Sequence, residues 1–175
     1  KTHKPLAFTS EHLHILVLGD YVPRNNRRLL GLLVEYSQTL SYKLNITLKP
    51  HPATEFHTYE HPNLSIRVAS DPIESLLEVC DVAYTSSISS SAIDAFCSGV
   101  PVITMADPKV LYMGPLRGMS GLHNVSCVSE LVNALSTIKH TIISSSPPPS
   151  YFNLDVKLPL WRKILIHNEF KPPLT

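Results

Sequence analysis

Short apolar runs alternate with segments of helical periodicity along most of the chain. Between the runs, apolar residues recur every three or four positions, as they do on one face of a helix. Because the runs are apolar along their whole length, they favour the buried strands of a parallel sheet covered by helices on both sides. We therefore predict an α/β fold, a Rossmann-like three-layer sandwich, over residues 10–142. The predicted strands are Leu13–Leu18, Asn45–Leu48, Leu64–Val68, Asp81–Thr85, Val100–Thr104 and Val125–Val128.

Polar residues and glycine mark the expected helix ends. The first helix carries an apolar face from Leu29 to Leu44, and the second extends to Cys80. A His-rich loop or short helix is expected between the second and third strands. The predicted caps and stops are Asn25 or Asn26 for the first helix, Asp71 with Pro72 for the second, Ser98-Gly99 for the third and Ser129 for the fourth.

The sequence changes character after residue 142. Residues 143–150 are Ser and Pro apart from one Ile, a composition typical of an extended linker. Residues 151–175 follow as a tail. Within the tail, the pattern from Leu158 to Ile166, with Trp161 and Leu165, predicts one amphipathic helix that docks elsewhere.

Composition narrows the class of protein. A chain of 175 residues that is 43% hydrophobic and 17% charged is typical of one packed domain. A formal charge of +1 gives no electrostatic footprint for nucleic acid. The 3 cysteines are odd in number, which favours a reducing compartment, and no apolar run is long enough to span a bilayer. These features favour the cytoplasm. The chain starts at Lys1 rather than methionine, so we also expect it to be a fragment.

Candidate chemistry lies in the loops after strands, because open parallel sheets bind ligands at the carboxyl ends of their strands. His51 stands between Pro50 and Pro52, so it is either a rigid donor to a phosphate oxygen or part of an ordinary turn. A serine-rich loop then leads into the third helix, whose first N–H groups attract phosphate. The plainer alternative is one capping serine in a polar loop. The candidate phosphate ligands there are Ser86, Ser87, Ser89, Ser90 and Ser91.

Asp94 lies in the first turn of that helix, where it either binds a ribose diol or only complements the helix dipole. It begins the run Asp94-Ala-Phe-Cys-Ser-Gly99-Val-Pro101-Val. The run resembles the acidic-Ala-x-x-x-Gly-x-Pro-Val signature of the nucleotide-sugar-binding half of GT-B glycosyltransferases. The resemblance implies one half of a GT-B architecture, with Asp94, where glutamate is usual, at the donor ribose. It also implies a partner, the N-terminal GT-B domain of the same protein, which would supply the general base.

The His-Pro pair and the serine pairs resemble, more narrowly, bacterial surface carbohydrate biosynthesis proteins, sialyltransferases and polysialyltransferases. These enzymes use a CMP-activated sugar. The resemblance implies that His51 is catalytic and contacts the donor phosphate together with the serines, Ser89 to Ser91 before Ser86 and Ser87. It places Glu74 at the nucleoside, although an ordinary first-turn acid is an equal alternative. The segments 151–155 and 158–162 resemble the end of such proteins.

Two further clusters have a functional and an ordinary interpretation. Arg24, Arg27 and Arg28 follow the first strand and either contact an anionic acceptor or phosphate or form a solvated helix start. A zinc site would use the histidines His51, His57 and His61 with Glu60, but a fourth ligand is not evident, so we expect no metal site. The sequence has no Asp-x-Asp pair, P-loop or Gly-x-Gly-x-x-Gly turn, so no metal or cofactor is expected.

The leading expectation is the donor-binding domain of a metal-independent glycosyltransferase of bacterial surface polysaccharide biosynthesis, inactive alone. The donor would be a CMP-activated sugar of the sialic acid or Kdo type, and the missing part could associate with the inner face of the membrane. One alternative is a teichoic-acid-type glycerophosphotransferase with a CDP-linked donor. Another is a UDP-sugar 2-epimerase, which normally has a glycine pair where Ser90-Ser91 stands. The non-enzyme alternative is a Rossmann-like scaffold whose tail helix mediates assembly.

Overall fold

The computed structural model describes residues 13–41, 44–54, 64–141, 151 and 157–166, and strands and helices alternate through them. The strands are β1 His14–Leu18, β2 Asn45–Lys49, β3 Ile66–Val68, β4 Val82–Ser86, β5 Val102–Met105 and β6 Leu122–Val125. The helices are α1 Pro23–Ser37, α2 Ile73–Leu77, α3 Ser91–Cys97, α4 Val128–Thr141 and α5 Pro159–Ile166.

The strands form a 6-stranded sheet in the order β3-β2-β1-β4-β5-β6. All neighbouring pairs are parallel. This order confirms the predicted Rossmann-like parallel sheet. The chain builds outward from β1 to one edge and then returns to start again at β4, so β1 and β4 lie side by side. Their carboxyl ends mark the topological switch point, where ligands bind in open α/β sheets.

Helices cover both faces of the sheet, which confirms the three-layer sandwich. Successive side chains of a strand point to opposite faces, so the all-apolar β1 contributes to two cores. Ile15 and Val17 pack in the core formed with α1 and α4. Leu16 and Leu18 pack in the second core, formed with α2 and α3. A strand that packs against helices on both faces of the sheet therefore appears in the sequence as a continuous apolar run.

The prediction that Asn25 or Asn26 caps the first helix is wrong. The helix begins at Pro23, with Val22 at the N-cap and no side-chain capping bond. Proline is favoured at this position because its fixed φ suits the first turn and it lacks the N–H that would stay unpaired there. Both asparagine side chains instead bind Asp20, as described below. The helix also ends at Ser37, well before Leu44, which packs in the core from outside the helix.

The second helix is shorter than predicted. It spans Ile73–Leu77 with Pro72 at its N-cap, so Asp71 lies one residue too early to cap it. The Asp71 carboxylate lies 4.0 Å from the Arg67 guanidinium instead. The third helix ends as predicted, because Gly99 has a φ of 77°. Residues with a side chain rarely adopt this left-handed conformation, so glycine suits the stop.

The last strand and its helix both begin earlier than predicted. The strand is Leu122–Val125 rather than Val125–Val128, and α4 starts at Val128, so Ser129 lies inside the helix. The first turn is held by Glu130, whose carboxylate accepts hydrogen bonds from the Ser126 N–H at 2.6 Å and hydroxyl at 2.9 Å. The strand was misplaced because its residues 122–124 are only partly buried and include two polar side chains.

The predicted tail helix is present as α5. Its Trp161 is 60% exposed and its Leu165 73% exposed. Earlier in the tail, Tyr151 packs edge-on against Phe96 and donates a hydrogen bond to the Pro115 carbonyl at 3.2 Å. The predicted linker, residues 143–150, lies outside the described residues, so the domain boundaries stay predictions. Among the described helices, none is long and apolar enough to cross a bilayer.

Candidate functional site

The site is built at the carboxyl edge of the sheet, where loops leave four neighbouring strands. These loops place Asp20 after β1, His51 after β2, Ser86 at the end of β4 and Asp107 after β5. The sequence singled out His51 and Ser86, and both reach the loop that carries Asp20. Asp20 and Asp107 were not predicted as site residues.

Asp20 is the centre of a hydrogen-bond network at the switch point. Its side chain is 2% exposed and accepts bonds from the Val22 N–H and the Asn25 amide, both at 2.8 Å. The Ser86 hydroxyl donates to the same carboxylate in a short hydrogen bond. Asn26 completes the network by exchanging two hydrogen bonds with the Asp20 backbone. The Asp20 carboxylate therefore lies beside the start of α1, near the place where many Rossmann-type sites hold a phosphate.

His51 is half-buried, and its ring is contacted by the Ala53 N–H and by the ring of Tyr21. Its Nδ1 accepts a hydrogen bond from the Ala53 N–H at 3.1 Å. A neutral imidazole with Nδ1 as acceptor carries its proton on Nε2, so Nε2–H is the free donor. The ring centroid lies 6.1 Å from that of Tyr21, and Thr54 donates to the Asp20 carbonyl at 3.1 Å. The loop after β2 is therefore tied to the loop after β1.

Gly19 makes this contact between the two loops possible. Its N–H donates to the Lys49 carbonyl at 2.9 Å. A Cβ placed on Gly19 would lie 2.9 Å from the His51 nitrogen and 3.2 Å from the Pro50 Cα. Both neighbours are backbone atoms that cannot rotate away. Position 19 therefore has room for glycine alone without moving the loop that carries His51.

The candidate serines divide into buried and accessible ones. The Ser86 hydroxyl is buried and used by Asp20. Ser87 is half-buried, and its N–H donates to the Met105 carbonyl at 3.0 Å. The hydroxyls of Ser89 and Ser91 lie 2.6 Å apart, and Ser90 is the exposed N-cap of α3 without a side-chain capping bond. The accessible serines are thus those next to α3, and their contact with phosphate stays a prediction.

Glu74 and Asp94 lie close enough to interact electrostatically. Both are exposed, Glu74 in the first turn of α2 and Asp94 in the first turn of α3. Partial burial raises the pKa of Asp94, and the Glu74 charge raises it further. The two acids predicted at the nucleoside therefore belong to one surface beside the serine loop. Whether they bind a ribose stays a prediction.

A cleft open to solvent lies at the ends of β4 and β5. It encloses about 390 Å³, counting its open side. One wall comes from the loop after β5, which presents the exposed apolar residues Val110 and Leu111. The cleft is lined by Asn25, Ser86, Ser87, Ile88, Met105, Asp107, Val110, Leu111 and Tyr112.

Two arginines of α1 converge on Asp107 in the cleft wall. Arg24 Nη2 lies 2.8 Å from Asp107 Oδ2, and Arg28 Nη1 lies 2.8 Å from Oδ1. The Lys109 N–H, together with Arg28 and Arg24, holds the pKa of Asp107 below its usual value. Arg27 is exposed. Of the predicted anion contacts, Arg24 is therefore engaged by an internal carboxylate, which Arg28 also contacts.

Within the residues that the structure describes, no group of three or more His, Cys, Asp or Glu could hold a metal ion. The zinc hypothesis also used His57, Glu60 and His61, which lie outside the described residues. Of the residues that sequence reasoning missed, Asp20 had a usable signal, since Gly19-Asp20 directly follows a buried strand. Asp107 follows β5 in the same way, but an irregular stretch surrounds it.

Comparison with solved structures assigns the fold. The glycosyltransferase SnogD from Streptomyces nogalater matches over 80% of this chain with a TM-score of 0.51 and 16% identity. The wall teichoic acid polymerase TagF, solved with CDPG, matches over 77% with a TM-score of 0.51 and 15% identity. The glycotransferase of kitacinnamycin matches over 79% with a TM-score of 0.50 and 17% identity. No protein-family model matches the sequence, and no curated protein is similar to it.

These matches show the fold of one half of a GT-B glycosyltransferase, as the sequence predicted. The chain covers 42% of SnogD, 34% of TagF and 37% of the kitacinnamycin enzyme. It therefore spans less than half the length of each of these structures.

Proposed function

We propose that this chain is the donor-binding domain of a metal-independent glycosyltransferase of bacterial surface polysaccharide biosynthesis. Its donor would be a CMP-activated acidic sugar, and the rest of the enzyme would supply the acceptor site. One observation carries the proposal: His51, the serine loop and Asp94 lie at the carboxyl edge of a sheet with the GT-B half fold. This is the edge where such sheets bind nucleotides.

The donor phosphate would lie beside α3 rather than at α1. At α1 the buried Asp20 carboxylate already accepts the Val22 N–H and the Asn25 amide, and a phosphate there would meet a negative charge. At α3 the exposed Ser90 leaves the first turn without a side-chain cap. The nearby Ser89 and Ser91 hydroxyls add donors that can turn toward a phosphate oxygen. The nucleotide would then extend toward Glu74 and Asp94.

His51 would stabilise the leaving phosphate. When the sugar–phosphate bond breaks through an oxocarbenium-like state, negative charge grows on the CMP oxygen. A donor that is already oriented lowers the barrier, because it needs no reorganisation during the reaction. The bond from the Ala53 N–H to Nδ1 leaves Nε2–H free for that role. The acceptor oxygen attacks the sugar and loses its proton to a base outside this chain.

Nucleotide titration of the 175-residue chain tests the proposal. We expect CMP and CDP to bind in isothermal calorimetry. We expect His51→Ala and Ser90→Ala each to weaken binding by about 1–3 kcal/mol, as lost charge-assisted hydrogen bonds do. Ser136→Ala is the matched control, because Ser136 is exposed on α4 and away from the carboxyl-edge loops. Its affinity should equal that of the unmodified chain.

The outcomes separate the levels of the proposal. If no nucleotide binds at millimolar concentration, the donor-site assignment fails and the scaffold alternative is favoured. If UDP binds best, the transferase proposal stands and the CMP donor is wrong. If Ser136→Ala weakens binding as much as Ser90→Ala, the effect is not local to α3.

A second candidate is glycerophosphate polymer transfer of the teichoic acid type. The similarity to TagF, a wall teichoic acid polymerase solved with CDPG, favours it. Such an enzyme would use a CDP-linked donor with one more phosphate than CMP. A marked preference for CDP over CMP in the same titration would therefore support this candidate, and equal or weaker CDP binding would argue against it.

A further inference from the structure

We propose that Asp107 is an internal anion that occupies an oxyanion-binding arginine pair, and that a phosphate or carboxylate group of the substrate displaces it. The inference rests on the proposed function only for the identity of the substrate. It assigns a second anion site, formed by Arg24 and Arg28, in addition to the serine loop.

The geometry is that of a carboxylate clamped by two guanidinium groups. Each Asp107 oxygen lies 2.8 Å from a different arginine, so both carboxylate oxygens are paired with a guanidinium group. Planar oxyanions and phosphates are bound by arginines in this way. The two arginines lie one helical turn apart on α1 and face the same direction. They would stay in place if Asp107 left, because α1 is anchored in the core by Leu29, Leu30 and Leu33.

The clamp is accessible to a ligand. Asp107 lines the cleft, and Asn25 and Ser87 offer further polar groups there. The Arg24 side chain is 66% exposed, and that of Arg28 is 29% exposed. The Asp107 side chain is 13% exposed, and its Arg24 partner lies largely in solvent, where an ion pair contributes little to stability. A ligand anion can therefore compete with the carboxylate at little cost on the Arg24 side. A ligand that brings two or three anionic oxygens can replace the single carboxylate.

Arg28 has a second polar group close by. The Tyr84 hydroxyl is buried and has no hydrogen-bond partner among the described residues. Burial raises the pKa of Tyr84, and the charge of Arg28 acts in the opposite direction. Arg28 also lies 3.5 Å from the Ser126 carbonyl. The guanidinium therefore has neighbours besides Asp107 to hold it when the carboxylate leaves.

Displacement of Asp107 would change the cleft wall. The carboxylate is the tie between α1 and the loop after β5, and its Oδ1 also accepts the Lys109 N–H at 3.0 Å. Val110 and Leu111 follow in the same loop, and both are exposed.

The test compares anion affinity in charge-matched variants of the full chain. Pyrophosphate and malonate are the probes, titrated separately at low ionic strength. Asp107→Asn keeps the size and the acceptor for Lys109 but removes the competing charge, so we expect about five- to tenfold tighter binding of at least one probe. The triple variant Asp107→Asn/Arg24→Gln/Arg28→Gln should lose this gain. Glu35→Gln, on the exposed side of α1, removes the same charge and should change affinity less than twofold.

A gain with pyrophosphate alone assigns the site to phosphate, and a gain with malonate alone assigns it to carboxylate. The proposal is overturned if folded Asp107→Asn binds both probes no better than the unmodified chain, or if Glu35→Gln gives the same gain. Thermal melting and circular dichroism establish that each variant is folded. If Asp107→Asn does not fold, the Arg24→Gln/Arg28→Gln pair in the unmodified background must weaken probe binding, and unchanged affinity overturns the proposal. Failure of CMP and CDP to bind would count against the donor-site assignment alone.

Discussion

Gly19→Ala is the sharpest test of how the site is built. The glycine lies where the loop after β1 passes the loop after β2, and its N–H binds the Lys49 carbonyl. The added methyl carbon would lie 2.9 Å from the His51 nitrogen, 3.2 Å from the Lys49 oxygen and 3.2 Å from the Pro50 Cα. All three are main-chain atoms, so the strain cannot be relieved by a side-chain rotation.

The magnitude follows from these distances. Unstrained contacts between such atoms are about 3.5 Å, so the two loops must separate by roughly half an ångström. Forcing an extra methyl into a closed contact costs about 1–3 kcal/mol. Alanine also restricts the backbone of the unfolded chain more than glycine does, which offsets about 0.4–1 kcal/mol of this cost. We therefore expect a net loss of about 1–2 kcal/mol in the free energy of unfolding, together with displacement of His51.

Two assays measure the two consequences. Urea denaturation gives the loss of stability, and CMP titration gives the effect of moving His51. We expect about tenfold weaker CMP binding, because a displaced His51 loses its hydrogen bond to the phosphate. Gly31→Ala is the matched control: Gly31 lies inside α1, and a Cβ there meets nothing within 4 Å. That substitution should raise stability by about 0.5–1 kcal/mol, since alanine is the better helix former, and leave affinity unchanged.

The reasoning is refuted if Gly19→Ala is as stable as the unmodified chain. The loops would then not approach each other as closely as described. If Gly19→Ala loses stability but binds CMP normally, the close approach is real and His51 does not contact the nucleotide.

Three further substitutions test single features of the core and the edge. Tyr84→Phe removes a buried hydroxyl without a partner among the described residues, so the free energy of unfolding should rise by about 1 kcal/mol in urea denaturation, whereas a loss would reveal a hidden partner. Asp20→Ala removes the acceptor for three donors and should cost about 2–4 kcal/mol by the same assay, whereas a cost below about 1 kcal/mol would contradict the network. Asp94→Asn should be more stable than the unmodified chain at pH 7. Because the folded-state pKa of Asp94 is raised, the unmodified chain has a stability contribution that is full below the unfolded-state pKa and is lost as pH rises through the folded-state pKa. The neutral asparagine does not lose it. Melting curves from pH 3 to 7 should show this advantage disappearing at low pH, and a constant difference would refute it.

The fold was largely predictable because the sheet is buried on both sides. The central strands of such a sheet are mostly apolar, and β1 and β4 carry buried runs that are easy to recognise. The prediction errors occur where burial on both faces does not require apolar residues. The edge strand β6 is only partly buried, so its residues look like a loop. Asn25 and Asn26 were assigned as caps because capping preference is a local rule, whereas their actual partner, Asp20, is fixed by the tertiary fold.

The candidate site was predictable only in its location. Residue type and position after a strand identified His51 and the serine loop. The sequence could not distinguish Ser86, whose hydroxyl is buried against Asp20, from the exposed Ser90. It also could not reveal that Asp107, 83 positions along the chain from Arg24, neutralises that arginine. Pairings between distant residues depend on strand order, and local periodicity does not predict strand order.

The order of the strands has a consequence for how the chain folds during synthesis. β1, β2 and β3 are made first and can pair with one another, but β1 meets β4 only after 67 further positions have been added, as the Leu18–Thr85 contact shows. Pairings of such sequence separation form late, because the loop must close before any contact compensates for it. The edge of β1 that later receives β4 therefore stays open in the nascent chain. The cleft has walls from opposite sides of that seam, Asn25 on one side and Ser86 to Ile88 on the other, so it cannot form before β1 and β4 have paired.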